Sequence, residues 1–283
     1  MLASMFEPPP EGLPARARFP RAPSQDDWDA MSEEERRRVI EALPNEVTYE
    51  EMSPPEGEHH FRAKIESLDM LERFFGRSGR GMYLACELPV YYPATRRFAP
   101  DLLAVRDTGR HIRDKWVVSA EGKGLDLAME VHYGGDRKKD AERNVAFYAS
   151  LGIPEYFVFD RARLKLHGFR LPSPTARAYQ PILGQRGFLR SEVLEMELVI
   201  LDEQLRFSYR GAFLSDSIEW ISHLETLVDQ REQQAAAEAE RARAEAERAR
   251  AEEEHARAEE QRASDLERRL AEAQAEIERL KKR

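Results

Sequence analysis

The chain has 283 residues and a single cysteine, Cys86. A lone thiol cannot close an intrachain disulfide, so the fold must be held by its core, and nothing calls for an oxidising compartment. Long apolar runs are also missing. The opening stretch MLASMFEPPPEGLPARARFPR has no apolar segment of the kind a secretory signal carries, and nothing approaches the roughly 20 apolar residues that span a bilayer. These absences lead to the expectation of a soluble, cytoplasmic chain. A surplus of positive charge is lacking too. The net charge is −9, with 6 Lys+Arg against 13 Asp+Glu in residues 1–56, 25 against 25 in residues 57–230, and 13 against 15 in residues 231–283. The middle is neutral, which excludes a general basic surface for a polyanion and leaves room for a local patch.

What is present is 41% apolar residues, enough for a core, beside 34% charged residues that must be concentrated elsewhere. Residues 1–25 are rich in Pro and Arg with little apolar periodicity. They are expected to form a disordered arm, because they bury too little surface to offset chain entropy. In residues 26–44, SEEERRRVIEALP pairs Ser32 with Glu35 in a capping-box pattern and stops at Pro44, which predicts one short helix. EHHFRAKIESLDMLERFF predicts a core-packed helix through Phe61, Ile65, Leu68, Leu71 and Phe75, with Gly76 as its cap. Short runs come next, rich in Val, Leu and aromatics and bounded by Gly, Pro or Asp: MYLACELPVYY, DLLAVR, KWVVSA, LDLAMEVH, EYFVFD, LKLHGFRL and VLEMELVI. With RAYQPILG they make six to eight strands. Between two of them, DRKKDAERNVAFYASLG reads as a connecting helix with Ala141, Val145 and Tyr148 on one face. The order of elements gives an α+β (mixed α/β) domain over residues 45–212.

Residues 213–283 differ in kind. From Asp216 one heptad register runs to the end, with Ile221, Val228, Leu270 and Ile277 at a and Leu224, Leu266 and Leu280 at d. The middle, built from ERARAEA repeats, has Ala at a and mostly Glu at d. Pairs such as Glu240/Arg243 and Arg241/Glu245 support it, each by a few tenths of a kcal/mol. Both a single solvated helix and a parallel two-stranded coiled coil satisfy this pattern.

The chemistry concentrates where strands end. Asp101 opens PDLLAV and Glu130 lies near the end of LAMEV, where strand alternation puts Glu130 and His132 on one face and Val131 on the other. A carboxylate after LDLAM is costly to bury unpaired. Two carboxylates meeting at a sheet edge suit a hard divalent ion such as Mg²⁺, which can polarise a phosphoryl oxygen and acidify a bound water. Each residue also has a plainer reading. Asp101 suits a turn after Pro100; Asp136 and Asp140 favour a helix start; Lys138 and Lys139 suit a solvated surface. Tyr148 reads as core, with its hydroxyl reaching the polar edge. His59 and His60 open the earlier helix, where Glu58 and Glu66 are further candidate carboxylates.

APDLLAV, LAMEVH and DRKKDAERNVAFYASLGIPEYFVFD, in this order and spacing, resemble the bacterial Uma-type family of restriction-endonuclease-like proteins, a branch of the PD-(D/E)xK nuclease superfamily. The resemblance covers roughly residues 45–212 through Pro100-Asp101, Glu130-Val131, Asp140, Asn144, Tyr148 and the segment from Gly152 to Asp160. It implies a restriction-endonuclease-like mixed sheet flanked by helices, followed by a long C-terminal helix or coiled coil. It further implies that Asp101 and Glu130 ligate Mg²⁺ or Mn²⁺, helped by the carbonyl of Val131 or His132, and that an activated water attacks a DNA phosphodiester. The superfamily lysine usually stands two residues after the Glu. Here that residue is His132, and Asn144 stands where relatives often carry a migrated lysine. Lys138 or His132 is therefore expected to fill the role.

Three functional classes are consistent with these features. The first is a metal-dependent endonuclease acting on DNA as a homodimer joined by its tail, so that each site attacks one strand. In the second, a catalytically impaired nuclease fold serves as a binding or assembly module through its coiled coil. The third is a structural rod capped by a globular head.

Overall fold

The computed structural model describes residues 21–46, 57–133 and 143–281. The chain divides into two compact units, Met1–Ser217 and Ile218–Arg283. Among the described residues no helix is long and apolar enough to cross a membrane.

The first unit opens with α1 (Gln25–Ala30), capped by Ser24, and α2 (Glu33–Ala42), capped by Ser32. The capping box forms as the sequence predicts. Ser32 accepts from the Glu35 amide, and the Glu35 carboxylate accepts from the Ser32 amide at 2.9 Å. The predicted helix is α2, and α1 precedes it as a second one that the sequence reading left out. The predicted disordered arm ends earlier than residue 25, since Arg21 and Ala22 bridge Arg96 and Pro93. Ala22, Trp28, Val39 and Leu43 then share a buried cluster with Tyr91 and Val117, and the Tyr91 hydroxyl donates to the Pro44 carbonyl at 2.8 Å. Residues 26–44 are therefore packed into the first unit and form no domain of their own.

The next helix, α3, spans Glu58–Ser78 and is capped by Gly79 in the left-handed region at φ 68°. Gly76, the predicted cap, instead lies inside the helix under the Arg110 guanidinium, where a Cβ would stand 3.1 Å from Nη1. Four strands come after it: β1 (Met82–Ala85), β2 (Val90–Tyr91), β3 (Leu102–Arg106) and β4 (Trp116–Val117). After α4 (Val118–Glu121) come β5 (Leu127–His132), α5 (Val145–Ser150) and β6 (Glu155–Asp160). The unit closes with β7 (Lys165–Arg170), β8 (Gln180–Pro181), β9 (Leu189–Ser191), β10 (Met196–Leu201), β11 (Gln204–Tyr209) and β12 (Ala212–Phe213).

Among the described residues there are twelve strands where six to eight were predicted, because MYLACELPVYY divides in two and β9, β11 and β12 lie outside the predicted runs; other runs are shortened. MYLACELPVYY turns at Glu87, which has a φ of 52°, and at Pro89, which has no amide to give a ladder. KWVVSA keeps two strand residues before turning into α4. VLEMELVI does not extend until Met196, after Glu195 at φ 57°.

The main sheet has six strands in the order β1-β3-β5-β6-β7-β8, with β5 and β6 parallel and the other pairs antiparallel. Both faces are covered, which is why its central strands read as continuous apolar runs. Leu102, Ala104, Leu127, Met129, Val131, Phe157 and Phe159 face a core shared with α3 residues Met70, Leu71 and Phe75 and with the four-stranded sheet β12-β11-β10-β9. Leu103, Val105, Ala128, Tyr156 and Val158 face a second core with Trp116, Tyr148 and Ile153. Full burial of a Leu or Phe here contributes about 1.5–3 kcal/mol. The central strands are thereby fixed, and the polar ends of β3 and β5 are held side by side.

The second unit consists of α6, whose helix begins at Ser217 and runs to Lys281. Every residue described from Ile221 on is exposed, including the apolar Ile221, Leu224 and Val228 near one end and Leu266, Leu270 and Ile277 near the other.

Candidate active site

Antiparallel pairing of Leu102 with Met129 brings the residue before β3 opposite Glu130. Asp101 and Glu130 are accordingly neighbours, as the sequence predicts, and each carboxylate accepts from the backbone beside the other. The Val131 amide donates to Asp101 Oδ2 at 2.8 Å, and the Asp101 amide donates to Glu130 Oε2 over a longer 3.4 Å. Tyr148, from α5, donates its hydroxyl to Glu130 Oε1 at 2.6 Å. Burial first, then the Glu130 charge, pushes the Tyr148 phenol well above its ordinary range. The hydroxyl thus stays a neutral donor.

The other wall is α3. His60 Nε2 lies 3.1 Å from Asp101 Oδ2, and since an ionised carboxylate only accepts, Nε2 carries the proton in this contact. One turn later the Lys64 ammonium stands 3.5 Å from Asp101 Oδ1 and also donates to Glu87 Oε1. Burial alone would raise the Asp101 carboxyl. The His60 bond and ring, the Lys64 charge and the Val131 amide outweigh it and hold Asp101 below its ordinary value. Burial would likewise lower the Lys64 ammonium, but the bond to Glu87 and the charge of Asp101 hold it above its ordinary value. Both groups remain charged at neutral pH.

His60 and Lys64 reach the site because α3 is rotated from its predicted orientation. The buried stripe is His60, Ala63, Lys64, Ser67, Met70, Leu71 and Phe75. Phe61 and Ile65, expected in the core, are 58% and 43% exposed. The Glu58 carboxylate accepts from Arg62 at 2.6 Å on an exposed face, and Glu66 is partly buried with its pKa raised first by burial and then by Asp216, so the charges nearest these two are not those of Asp101. His132 lies buried two residues beyond Glu130, level with Asp160 of β6. Asn144, at the start of α5, is also buried. Lys138 lies outside the described residues, as do Asp136, Lys139, Asp140 and Ala141.

The donor set can be tested against the ion that the resemblance implies. Among the described residues no three His, Cys, Asp or Glu side chains form a metal cage. Mg²⁺ does not require one, since it commonly keeps several waters and takes one or two carboxylates plus substrate oxygens. Asp101 spends Oδ2 on Val131 and His60, which leaves Oδ1 as the oxygen able to turn toward a cation. Two carboxylates, those of Asp101 and Glu87, face the Lys64 ammonium and a third, that of Glu130, lies beside Asp101, so the local charge favours a divalent cation. The residues fit such an ion.

The Uma2 family, described as "Putative restriction endonuclease", matches residues 27–203. The chain belongs to this family. The match begins within α1 and ends between β10 and β11, so it takes in the N-terminal helices that the sequence resemblance left out. Among solved structures the chain is similar to "a putative nuclease belonging to DUF820 from Anabaena variabilis ATCC 29413", with a TM-score of 0.39 and 11% identity over 51% of this chain and 77% of that one. No curated protein matches the chain.

Proposed function

We propose that this Uma2-family chain is a metal-dependent endonuclease that hydrolyses DNA phosphodiesters, with Asp101 and Glu130 holding Mg²⁺ or Mn²⁺. The observation that carries this reading is the pair itself, two carboxylates at adjacent strand ends, that of Asp101 oriented by the Val131 amide and that of Glu130 by the Asp101 amide. A bound ion would supply a Lewis acid for a phosphoryl oxygen and lower the pKa of water beside it. The chain's own residues do the rest. His60 and the Val131 amide fix the Asp101 carboxylate in rotation, and Tyr148 fixes Glu130 from the opposite face of the sheet. The cores on both faces of β3 and β5 hold this arrangement rigid.

Calorimetric titration with Mn²⁺ tests the reading. The wild type is expected to bind one ion and the Glu130→Ala variant to bind none, and wild-type protein is expected to nick supercoiled plasmid when Mg²⁺ or Mn²⁺ is present. Absence of binding in both proteins sinks the proposal. A nuclease fold kept for binding or assembly is the second reading, favoured by His132 and Asn144 at the positions where the superfamily lysine was expected. Metal binding without nicking is the result that selects it.

Ile218 and Leu227 fall at e and g, and the other large exposed apolar residues of α6, Ile221, Leu224, Val228, Leu266, Leu270 and Ile277, fall on the a and d positions of one heptad register. They support a homodimer joined through the tail, which would present two sites to two strands. Sedimentation of the full chain should give twice the protomer mass. A chain ending after Ser217, which keeps the bonds Ser217 makes to Asp69, should give the monomer. Monomers in both rule out assembly by the tail.

A further inference from the structure

We infer that Lys64 is the cation that meets the reacting phosphoryl group, supplied by α3 in place of a lysine on β5 or α5, and that Glu87 occupies its ammonium until substrate arrives. This rests on the nuclease reading and names a catalytic residue within it.

Lys64 is the one buried lysine among the described residues, at 5% exposure. Lysine is almost never buried unless paired, and a buried ion pair is often replaced by apolar side chains of similar volume at no cost. A methionine in α3 with apolar partners at positions 87 and 101 would fill the same space without desolvating a charge. Packing therefore gives no reason for an ammonium here, whereas the site does. Its Nζ faces Asp101 Oδ1, the oxygen of that carboxylate left to meet a cation. The two positions where a superfamily lysine was expected hold His132 and Asn144.

The second partner of Lys64 explains how the ammonium becomes available. Glu87 sits on the bend after β1, and its side chain is 44% exposed while that of Lys64 is 6% exposed. The Glu87 amide donates to the Pro100 carbonyl at 3.0 Å, which ties this bend to the residue before Asp101. Glu87 can thus rotate its carboxylate into water, while Lys64 stays beside Asp101. An arriving phosphodiester brings anionic oxygens of the same kind, and one of them takes the place that the Glu87 carboxylate leaves.

In the reaction a water oxygen bonds to phosphorus as the P–O bond to one sugar oxygen breaks. One water proton passes to solvent and the departing oxygen takes one up. Lys64 keeps its protons throughout and offsets the negative charge carried by a non-bridging phosphoryl oxygen.

Lys64→Met and Lys64→Arg in the full chain test the assignment through Mn²⁺ calorimetry, plasmid nicking and urea midpoints. Lys64→Met is expected to lower kcat roughly 10²-fold with KM little changed. The same variant should bind Mn²⁺ several-fold more tightly, because a like charge 3.5 Å from Asp101 has gone. Lys64→Arg should recover part of the rate. A Lys64→Met protein that nicks at the wild-type rate overturns the inference, and so does one that loses metal binding and stability together, the mark of a structural residue. If the wild type neither binds Mn²⁺ nor nicks, the nuclease reading itself falls and the role of Lys64 with it, a result that the wild-type arm distinguishes from the other two.

Discussion

Asp101→Asn is expected to abolish metal-dependent cleavage and to cost the fold on the order of 3 kcal/mol, the range for removing one partner of a buried charge network. The amide is nearly the same size as the carboxylate, so the loss does not come from a cavity. Asp101 accepts from the Val131 amide and from His60 on one oxygen and faces the Lys64 ammonium with the other. An Asn carries one acceptor and one donor. With its oxygen toward Val131 and His60, its NH₂ meets the Lys64 ammonium; turned over, it meets two N–H groups. Either way a donor is set against a donor in a nearly closed site. Urea unfolding measures the stability term, and nicking assays under conditions where both proteins are folded measure the chemical one. A variant that cleaves within about tenfold of the wild type would show that Asp101 has no part in the catalytic constellation.

The same substitution gives a pH signature with a definite sign. Asp101 is held below its ordinary value of 3.8 in the folded chain. A carboxyl whose pKa is depressed by folding contributes its full stability above the unfolded value and loses it as pH falls through the folded one. The stability gap between wild type and Asp101→Asn should therefore be constant from neutral pH down to about pH 5 and close below about pH 4. A gap that persists unchanged at pH 2 would place the effect in packing and not in charge.

The carboxylate half of this site was legible in the sequence, and the basic half was not. Asp101 and Glu130 are carboxylates at the ends of otherwise apolar strands, so composition and position located both, and Tyr148 followed from the helical face it shares with Val145. His60 and Lys64 were hidden by hydrophobic periodicity, which turned α3 so that Phe61 and Ile65 faced the core. The physical reason is that the inward stripe of α3 crosses from core to site along its length. Leu71 and Phe75 pack under the sheet, while about two and three turns before Leu71 the same stripe meets the charged ends of β3 and β5. Moving back from Phe75 and Leu71 by helical spacing arrives at Ser67, Lys64 and His60, and a polar continuation of an apolar stripe was the available signal. Strand pairing was not legible either. Nothing in LRS, MELVIL or QLRFSY says that β9 to β12 form a separate sheet covering one face of the main one, because that choice is made by which faces remain uncovered once α3 is in place.

Glu155→Ala is expected to destabilise the chain by about 3–5 kcal/mol while leaving cleavage per folded molecule unchanged. Glu155 opens β6 at 1% exposure. One carboxylate oxygen accepts from Arg170 Nε at 2.8 Å and from the Glu192 amide at 2.8 Å; the other accepts from the Ser191 hydroxyl and, at 3.3 Å, from the Val193 amide. It thereby ties the main sheet to the turn that joins β9 and β10. Removal leaves the buried amide of Val193 and the Ser191 hydroxyl without this acceptor, and strips Arg170 of its buried partner, although Glu192 still pairs with that guanidinium at 2.9 Å. Against a total stability of about 5–15 kcal/mol the loss is large enough to read directly as a fall in the urea midpoint with little change in slope. Activity should survive because β5 and β6 run parallel with Glu155 level with Leu127 and Glu130 level with Val158, three residues further along. A loss below about 1 kcal/mol would mean that the four donors find other acceptors. A fall in cleavage beyond the unfolded fraction would mean that the bond network at the start of β6 sets the position of Glu130, and that the rigidity of the site depends on the sheet as a whole and not on the residues lining it.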